Sequence, residues 1–207
     1  MKQTDTITHY NLLIDEGNDP VLDPPSLQAY MDKWDGALFL SLLGLNGSQS
    51  VLEIGCGTGR LALKIAPKVR SFVGIDISEK TVDRAKGHVY FKNSEIICGD
   101  FLTYEFDRRF DTVCSSLTFM HIKEKSAAIS KTAALLVPNG RFVLSISKDE
   151  SDVLDFGTRT VKLYPDSCEE TVRMLEESGF GAIEVHETEL AYVIAAVKAM
   201  LFPKKYF

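Results

Sequence analysis

The feature that most constrains this chain is a short apolar run that leads into three alternating glycines. The run covers residues 51–54, and single residues separate the glycines that follow it: Gly55, Gly57 and Gly59. The next residues have helical spacing, with Leu61 and Ile65 on one face. Glycine permits positive φ and has no Cβ to keep a ligand away from the backbone, while a helix start presents free N–H groups. This stretch therefore predicts a strand, a tight turn and a helix that bring the backbone close to a ligand.

The spacing of the glycines narrows the class of ligand. A dinucleotide fingerprint places its third glycine three positions after the second, and that position is Arg60 here. Glu53 stands at the end of the strand, where its carboxylate would repel a pyrophosphate but not the cationic tail of a nucleoside. The pattern therefore favours a nucleoside ligand that has no pyrophosphate.

The pattern Glu53-x-Gly55-x-Gly57-x-Gly59 resembles motif I of the class I S-adenosylmethionine (SAM)-dependent methyltransferases. The alternative is a glycine-rich turn of the same shape in another α/β protein. The resemblance covers about residues 27–200 and implies an α/β fold. This fold is a Rossmann-like, seven-stranded, mostly parallel sheet with a C-terminal antiparallel hairpin and helices on both faces. SAM is then the expected cofactor and S-adenosylhomocysteine (SAH) the expected product.

Acidic residues follow the next two predicted strands. Asp76 follows residues 71–75, where a βαβ nucleotide site places an acid for the ribose hydroxyls; the alternative is a capping or turn carboxylate. Asp100 and Phe101 follow residues 94–98. The family resemblance assigns this corner to adenine, with Asp100 accepting from the exocyclic amine.

A fourth apolar strand, residues 110–116, leads into a segment that resembles motif IV of the family. That motif borders the methionine part of the cofactor and the substrate. This register places His121 near the reacting methyl, where it would orient a substrate hydroxyl or act as a general base. A structural histidine that caps the following helix is the alternative.

The resemblance implies two sets of binding residues. The expected cofactor-binding set is Glu53, Gly55, Cys56, Gly57, Gly59, Asp76, Ile77, Asp100, Phe101 and Ser116. The candidate lid or substrate residues are Tyr10, Tyr30, Trp34 and Leu117. For the three aromatic residues, the alternative is that they only pack a helix onto the sheet. No His, Asp and Glu cluster has metal-ligand spacing, so no metal is expected.

The chain length of 207 residues suits one domain. Residues 1–25 are expected to form an irregular leader, because two proline-containing breakers interrupt them. Residues 26–207 are expected to form a single methyltransferase domain. N-terminal lid helices are predicted at about residues 26–44 and are divided at Gly36.

The C-terminal part predicts three further features. Residues 148–157 are acidic and predict a loop on the ligand side, and residues 159–164 predict a short extra strand or a substrate-facing segment. Residues 181–187 and 191–197 predict the terminal antiparallel pair.

Composition argues against several functional classes. The net charge of −6 and a pI near 5.3 oppose a general nucleic-acid or anionic-membrane binder. The four cysteines include no Cys-x-x-Cys pair and are typical of a reducing compartment. The N-terminus lacks the apolar core of a signal peptide, and no run approaches a membrane span. The expectation is a cytoplasmic protein without a nucleic-acid or membrane partner, of unassigned oligomeric state.

The functional hypothesis is a SAM-dependent methyltransferase that moves a methyl group to a small-molecule acceptor by in-line displacement. The leaving group is a neutral thioether, so the enzyme mainly has to align the reacting atoms. The first alternative is a SAM-binding protein without transferase activity. The second is an NAD(P)-dependent oxidoreductase, which the missing third glycine of the fingerprint opposes.

Overall fold

The computed structural model describes residues 2–199. Its strands are β1 (Lys2–Thr4), β2 (Ser50–Ile54), β3 (Ser71–Asp76), β4 (Ser94–Cys98), β5 (Phe110–Ser116), β6 (Leu136–Ser147), β7 (Val153–Asp155), β8 (Arg159–Lys162), β9 (Phe180–Glu187) and β10 (Ala191–Lys198). Its α-helices are α1 (Thr6–Asp15), α2 (Pro25–Asp35), α3 (Ala37–Leu42), α4 (Ala62–Ile65), α5 (Glu79–His88), α6 (Lys125–Leu135) and α7 (Cys168–Glu177). Short 3-10 helices cover Ala66–Lys68 and Phe119–His121.

Seven strands form the central sheet in the order β4-β3-β2-β5-β6-β10-β9. The first five are parallel, and β10 runs antiparallel to both of its neighbours. The chain builds outward from β2 to β4 and then returns to place β5 on the other side of β2. The strand order therefore reverses between β2 and β5, where open α/β sheets bind ligands. The predicted fold class, including the terminal antiparallel pair, is confirmed.

Side chains that alternate along the strands fill two cores, one on each face of the sheet. In β2, Val51 packs in the core that contains residues of α3 and α4, whereas Leu52 packs in the core that contains residues of α6 and α7. Both side chains are fully buried. Strands covered on both faces are nearly continuous apolar runs, so their polar residues collect at the strand ends.

The N-terminal segment departs from the expected irregular leader. Lys2–Thr4 form β1 and Thr6–Asp15 form α1, and Asp5 caps this helix by accepting the Thr8 N–H at 2.9 Å. The leader prediction is therefore wrong for residues 2–15, although the proline-rich breakers do keep residues 16–24 irregular. The predicted division of the next helical stretch at Gly36 is confirmed, since α2 ends and α3 begins there.

A second sheet holds this N-terminal segment against the C-terminal half. Its strand order is β1-β8-β7, and Gln3 of β1 lies opposite Thr160 of β8. The buried Arg159 of β8 donates to both carboxylate oxygens of Glu16, at 2.6 and 2.8 Å, and to His9 Nδ1 at 3.0 Å. Arg159 therefore fixes α1 near its middle and just past its C-terminal end. The predicted extra strand is present, and the preceding predicted loop contains β7.

Removing the Arg159 side chain should loosen α1 without unfolding the central sheet. Arg159→Ala deletes three hydrogen bonds to α1 and its flank, so the free energy of local opening should fall. Amide exchange in residues 6–15 should become roughly tenfold faster, or about 1.4 kcal/mol, while exchange in β2 and β5 stays slow.

The matched control is Arg173→Ala, which removes an exposed arginine whose nearest carboxylate is 3.8 Å away in the same helix. Hydrogen exchange followed by mass spectrometry measures both variants. Equal exchange of residues 6–15 in the wild type and in Arg159→Ala would contradict the assigned role of Arg159.

Candidate active site

A cavity of about 670 Å³ lies at the C-terminal ends of β2, β3 and β5. Its walls also include Tyr10 of α1, Met31 of α2 and Val161 of β8. Cavities of this size commonly hold a drug-sized ligand, and this one lies where the strand order reverses. The fold therefore assembles the site from the sheet edge and from three separate covering segments.

The glycine loop forms the floor of the cavity. Gly55 and Gly57 have φ of +72° and +54°, a region that side chains with a Cβ rarely adopt. A Cβ on Gly55 would lie 2.0 Å from the Thr118 Oγ1, whereas a Cβ on Gly57 would meet no atom within 4 Å. The first glycine is thus required for packing, and the second leaves open space at the cavity wall.

The two glycines should differ in their tolerance of alanine. Both variants adopt a strained φ, but only Gly55→Ala also clashes with the Thr118 side chain. Gly55→Ala should lose about 2 kcal/mol or more of unfolding free energy beyond the loss in Gly57→Ala. Urea unfolding of the two variants measures the difference, and equal losses would contradict the close contact.

Asp76 joins the glycine loop to the next βα turn. Its Oδ2 accepts the Gly57 N–H at 3.0 Å, and its Oδ1 accepts the Ser78 N–H at 3.0 Å. Burial raises the pKa of this carboxyl, and the backbone hydrogen bonds act in the opposite direction. Each oxygen keeps a further lone pair, because an ionised carboxylate accepts about four hydrogen bonds. Asp76 can therefore hold the loop and still accept from a ligand hydroxyl.

Glu53 carries an unpaired polar atom into this region. Its side chain is buried at the cavity wall, and Oε2 has no hydrogen-bond partner among the described residues. Burial raises the pKa of Glu53 well above its usual range, and the nearby Arg60 opposes this rise. A buried acceptor without a partner is uncommon in proteins. Its environment suits a cationic ligand group, which would favour the charged form.

An ion pair that the sequence analysis missed closes one side of the cavity. Asp35 is fully buried, and both of its carboxylate oxygens accept from the Arg60 guanidinium, one at 2.9 Å. The Ser116 hydroxyl donates to the same carboxylate at 2.7 Å. This pairing attaches the end of α2 to the glycine loop and to the end of β5. The presence of Arg60 in place of a glycine was the only sequence signal for this ion pair. The neighbouring residues do not identify Asp35 as the partner of Arg60.

Tyr10 and His121 meet at the cavity wall. The Tyr10 hydroxyl and His121 Nε2 lie 2.8 Å apart, while His121 Nδ1 is buried without a partner among the described residues. Burial, reinforced by charge on His9 and Lys125, lowers the pKa of His121 to about 4. His121 is therefore neutral at pH 7. Burial also raises the pKa of Tyr10, so its hydroxyl stays protonated.

Lys125 holds the turn that carries His121. Its ammonium donates to the Phe119 carbonyl at 2.8 Å and to the buried Asp166 at 2.6 Å. The Tyr164 N–H also donates to the Met120 carbonyl, at 2.7 Å. Through these contacts, the segment that follows β8 holds the turn that carries His121. The sequence around His121 did not predict this support.

The depressed pKa of His121 predicts a specific pH dependence of stability. The folded pKa lies below the unfolded value, so the unfolded chain binds an extra proton between about pH 6.5 and pH 4. Stability should therefore fall across this window as the pH falls, by on the order of 1–2 kcal/mol between pH 7 and pH 5 from this residue. Urea unfolding at both pH values should show a smaller decrease for His121→Gln.

His186→Gln is the control for that measurement, because it removes a partly exposed histidine from the edge strand β9. It should leave the wild-type pH dependence nearly unchanged. An NMR titration in which His121 takes up its proton near pH 6.5 would show that the ring is not held in its neutral form.

The segment that follows β4 also lines the cavity. Asp100 and Phe101 both line the cavity, and Asp100 Oδ1 accepts the Leu102 N–H at 2.8 Å. Phe101 is buried in the core below β3 and β5. A carboxylate beside an apolar wall suits the amine edge and the ring face of a base.

Most of the predicted site residues line this cavity. They are Tyr10, Glu53, Gly55, Cys56, Gly57, Asp76, Ile77, Asp100, Phe101, Ser116, Leu117 and His121. Leu117 has a φ of +53°, an unusual value for a branched side chain at the end of a strand. Such strain is frequent where a chain is held for binding.

Three predicted site residues lie outside the cavity wall. Gly59 serves packing, because a Cβ there would lie 2.5 Å from Val89. Tyr30 and Trp34 contact each other edge to face, with ring centroids 5.1 Å apart, while Met31 and Asp35 of the same helix line the cavity. Neither side chain lines the cavity, and Tyr30 is exposed, so a lid role for these two residues stays a prediction.

Comparison with known proteins agrees with this geometry. A family model described as a methyltransferase domain matches residues 45–193, which is well over half of the chain. The chain belongs to the methyltransferase family. The predicted class I SAM-dependent membership is confirmed, and it contradicts the oxidoreductase alternative.

Individual relatives match part of this methyltransferase's sequence. An uncharacterized methyltransferase of Mycobacterium tuberculosis is 33% identical over 97 residues, which are 45% of this chain and 48% of that protein. A malonyl-(acyl-carrier protein) O-methyltransferase of Priestia megaterium is 32% identical over 109 residues, 51% of this chain and 39% of that protein. The chain thus spans about half or less of the length of these curated relatives.

A solved structure extends the similarity over nearly the whole chain. The N-methyltransferase NodS of Bradyrhizobium japonicum, in complex with SAH, superposes with a TM-score of 0.73 at 18% identity. The match covers 94% of this methyltransferase and 99% of that chain. At this identity the likeness establishes the fold. Among residues 2–199, no helix is long and apolar enough to cross a membrane.

Proposed function

We propose that this protein binds SAM in the cavity and transfers its methyl group to a small-molecule acceptor. The observation that carries the proposal is the combination of the Asp76 carboxylate and the open glycine loop at one end of a single cavity. Family membership supports the choice of cofactor. A cytoplasmic location and a non-nucleic-acid acceptor are parts of the same proposal that rest on composition.

The residues at the cavity wall fit the chemical groups of SAM. Asp76 retains acceptor capacity for the ribose hydroxyls, and Asp100 stands beside an apolar wall that suits adenine. The unpaired Oε2 of Glu53 offers an acceptor for the ammonium of the amino-acid end. The space beside Gly57 admits a ligand where any larger residue would place a Cβ. The arrangement therefore accommodates a nucleoside with a cationic tail.

When bound, SAM supplies an activated methyl group whose sulfur leaves as a neutral thioether. The work of this chain is to hold and align the reactants and to exclude water, which can account for several kcal/mol of a barrier. Asp35, Arg60 and Ser116 line the cavity as one hydrogen-bonded group, and Tyr10 and His121 line it as another. The neutral His121 is a weak base, so its contribution is to hold the Tyr10 hydroxyl in place.

A SAM-binding protein without transferase activity is the second candidate. It would use the same Asp76, Glu53 and glycine loop, and it would need no path from the acceptor to the methyl group. The Tyr10–His121 pair on the cavity wall supports the enzyme, because it adds polar groups beyond those assigned to the parts of SAM. Release of SAH in the presence of a metabolite panel separates the two candidates.

Isothermal titration with SAH tests the proposed cofactor site. Wild-type protein should bind SAH in the micromolar range, at about −8 kcal/mol, and should not bind NADH. Asp76→Ala should weaken SAH binding at least tenfold, because two ribose hydrogen bonds to a charged acceptor are lost. An unchanged affinity would remove the ribose assignment.

The glycines provide a matched control for the same titration. Gly57 and Gly17 both have positive φ and open space around an added Cβ, but only Gly57 lines the cavity. Alanine at either position should cost about 1 kcal/mol of stability. Gly57→Ala should also weaken SAH binding tenfold, whereas Gly17→Ala should bind SAH within twofold of the wild type.

A further inference from the structure

We propose that Glu53 is protonated in the free protein and that it releases this proton when the amino-acid end of the cofactor binds beside it. The inference rests on the proposed function, because the ammonium group of SAM or SAH supplies the positive charge that replaces the proton. It goes beyond that function, since it makes cofactor affinity depend on pH and on the amine of the ligand. Three features of the structure point to it: the position of Glu53, its missing hydrogen bonds and the charges around it.

Glu53 lies in the middle of the central sheet. In β2 it stands opposite Gly74 of β3 and opposite Cys114 of β5. Only 2% of the residue is exposed, although it lines the cavity. The carboxyl group therefore has almost no bulk water to stabilise a negative charge.

The carboxyl group of Glu53 also lacks the hydrogen bonds that support a buried charge. Its Oε2 is buried without a partner, and no hydrogen-bond donor from the described part of the chain acts on the group. The contrast is Asp76 on the neighbouring strand, which accepts two backbone N–H groups. A buried carboxylate without such donors is much less stable than the neutral acid. In the free protein, the neutral acid is therefore the favoured form of Glu53.

The cation that acts on Glu53 is already paired with another carboxylate. Arg60 donates to both oxygens of the fully buried Asp35. The opposite charges of this pair largely offset each other at Glu53, and Asp76 adds a further negative charge there. The described surroundings of Glu53 therefore provide no excess positive charge before a ligand arrives.

The other titratable groups that face Glu53 are two thiols. Cys56 follows it in the glycine loop, and Cys114 lies beside it on β5. Burial and the nearby Glu53 raise the pKa of both thiols well above the usual range, so both are uncharged near pH 7. Burial likewise raises the pKa of Glu53, against the smaller effect of Arg60, which agrees with a protonated side chain.

An ammonium group beside Glu53 reverses this balance. Its N–H groups would donate to the unpaired carboxyl oxygens, and its positive charge would favour the ionised form. The O–H bond of the acid then breaks, its electron pair stays on oxygen, and the proton leaves through the cavity to the buffer. The charge on the protein side falls by one, and one proton appears in solution. A nucleoside without the amine cannot drive this exchange.

Titration calorimetry in two buffers with different ionisation enthalpies counts the protons that are released on binding. Between about pH 5.5 and pH 7, where a free α-amino group keeps its own proton, SAH should release about half a proton or more per molecule bound. The matched probe is 5′-methylthioadenosine, which keeps the adenosine and the sulfur but lacks the amino-acid end. It should release clearly fewer protons, because it reaches Asp76 but brings no ammonium to Glu53. SAH affinity should rise with pH by up to about tenfold per pH unit more than that of 5′-methylthioadenosine.

Glu53→Gln tests the assignment to this residue. Glutamine keeps the shape of the side chain and cannot ionise, so the excess proton release by SAH over 5′-methylthioadenosine should vanish. The control is Glu177→Gln, which removes an exposed carboxylate of α7 that does not line the cavity. This control should keep the wild-type excess.

Equal proton release by SAH and 5′-methylthioadenosine in the wild type overturns the inference, and this comparison does not depend on the folding of any variant. An excess that persists in folded Glu53→Gln overturns it as well. The failure of the proposed function is distinguishable, because the protein would then not bind SAH at all. SAH binding without excess proton release contradicts only the proton exchange at Glu53.

Discussion

The Asp76 carboxylate holds three parts of the site in one arrangement. One oxygen accepts from the loop after β2, the other accepts from the start of α5, and the residue itself ends β3. Burial opposes the charged form, and the two backbone N–H groups offset part of that cost. Gly57, which donates one of these N–H groups, has a φ of +54°. Without this contact, the glycine loop would lose its fixed position at the cavity floor.

Covering elements from distant parts of the chain convert this floor into a cavity. The buried Asp35–Arg60 pair attaches α2 to the loop, and Ser145 and Thr188 donate to backbone carbonyls of Trp34 and Lys33 near its C-terminal end. On the other side, Arg159 attaches α1 through Glu16 and His9. Removing one partner of the buried Asp35–Arg60 pair would leave an uncompensated charge. These contacts hold the N-terminal helices in place, and both helices contribute residues to the cavity wall.

The sequence pattern predicted the elements that depend on residues close together in the chain. The apolar strands, the glycine loop and Asp76 follow from periodicity and from the order of strands, whereas Asp100 follows from the family resemblance. The structure places all of them at one cavity. Tyr30 and Trp34 lie on the predicted helix, but they are not among the residues that line the cavity. Helical periodicity shows which residues share a face, but it does not show whether that face meets the sheet or the ligand. The contact of Asp35 with Arg60 sets which face of α2 meets the cavity, and Arg60 lies in the loop after β2.

The sequence alone determined the sheet, its ligand-binding edge and the cofactor class that the family implies, because residue spacing and short turns encode these features. Only the tertiary structure showed that residues 2–15 form a strand and a helix, since β1 pairs with a strand more than 150 residues away. Only it brought Tyr10 to His121 and set Lys123 and Lys162 around the same space. Such contacts depend on how separate elements pack, and burial then decides which groups keep their charge.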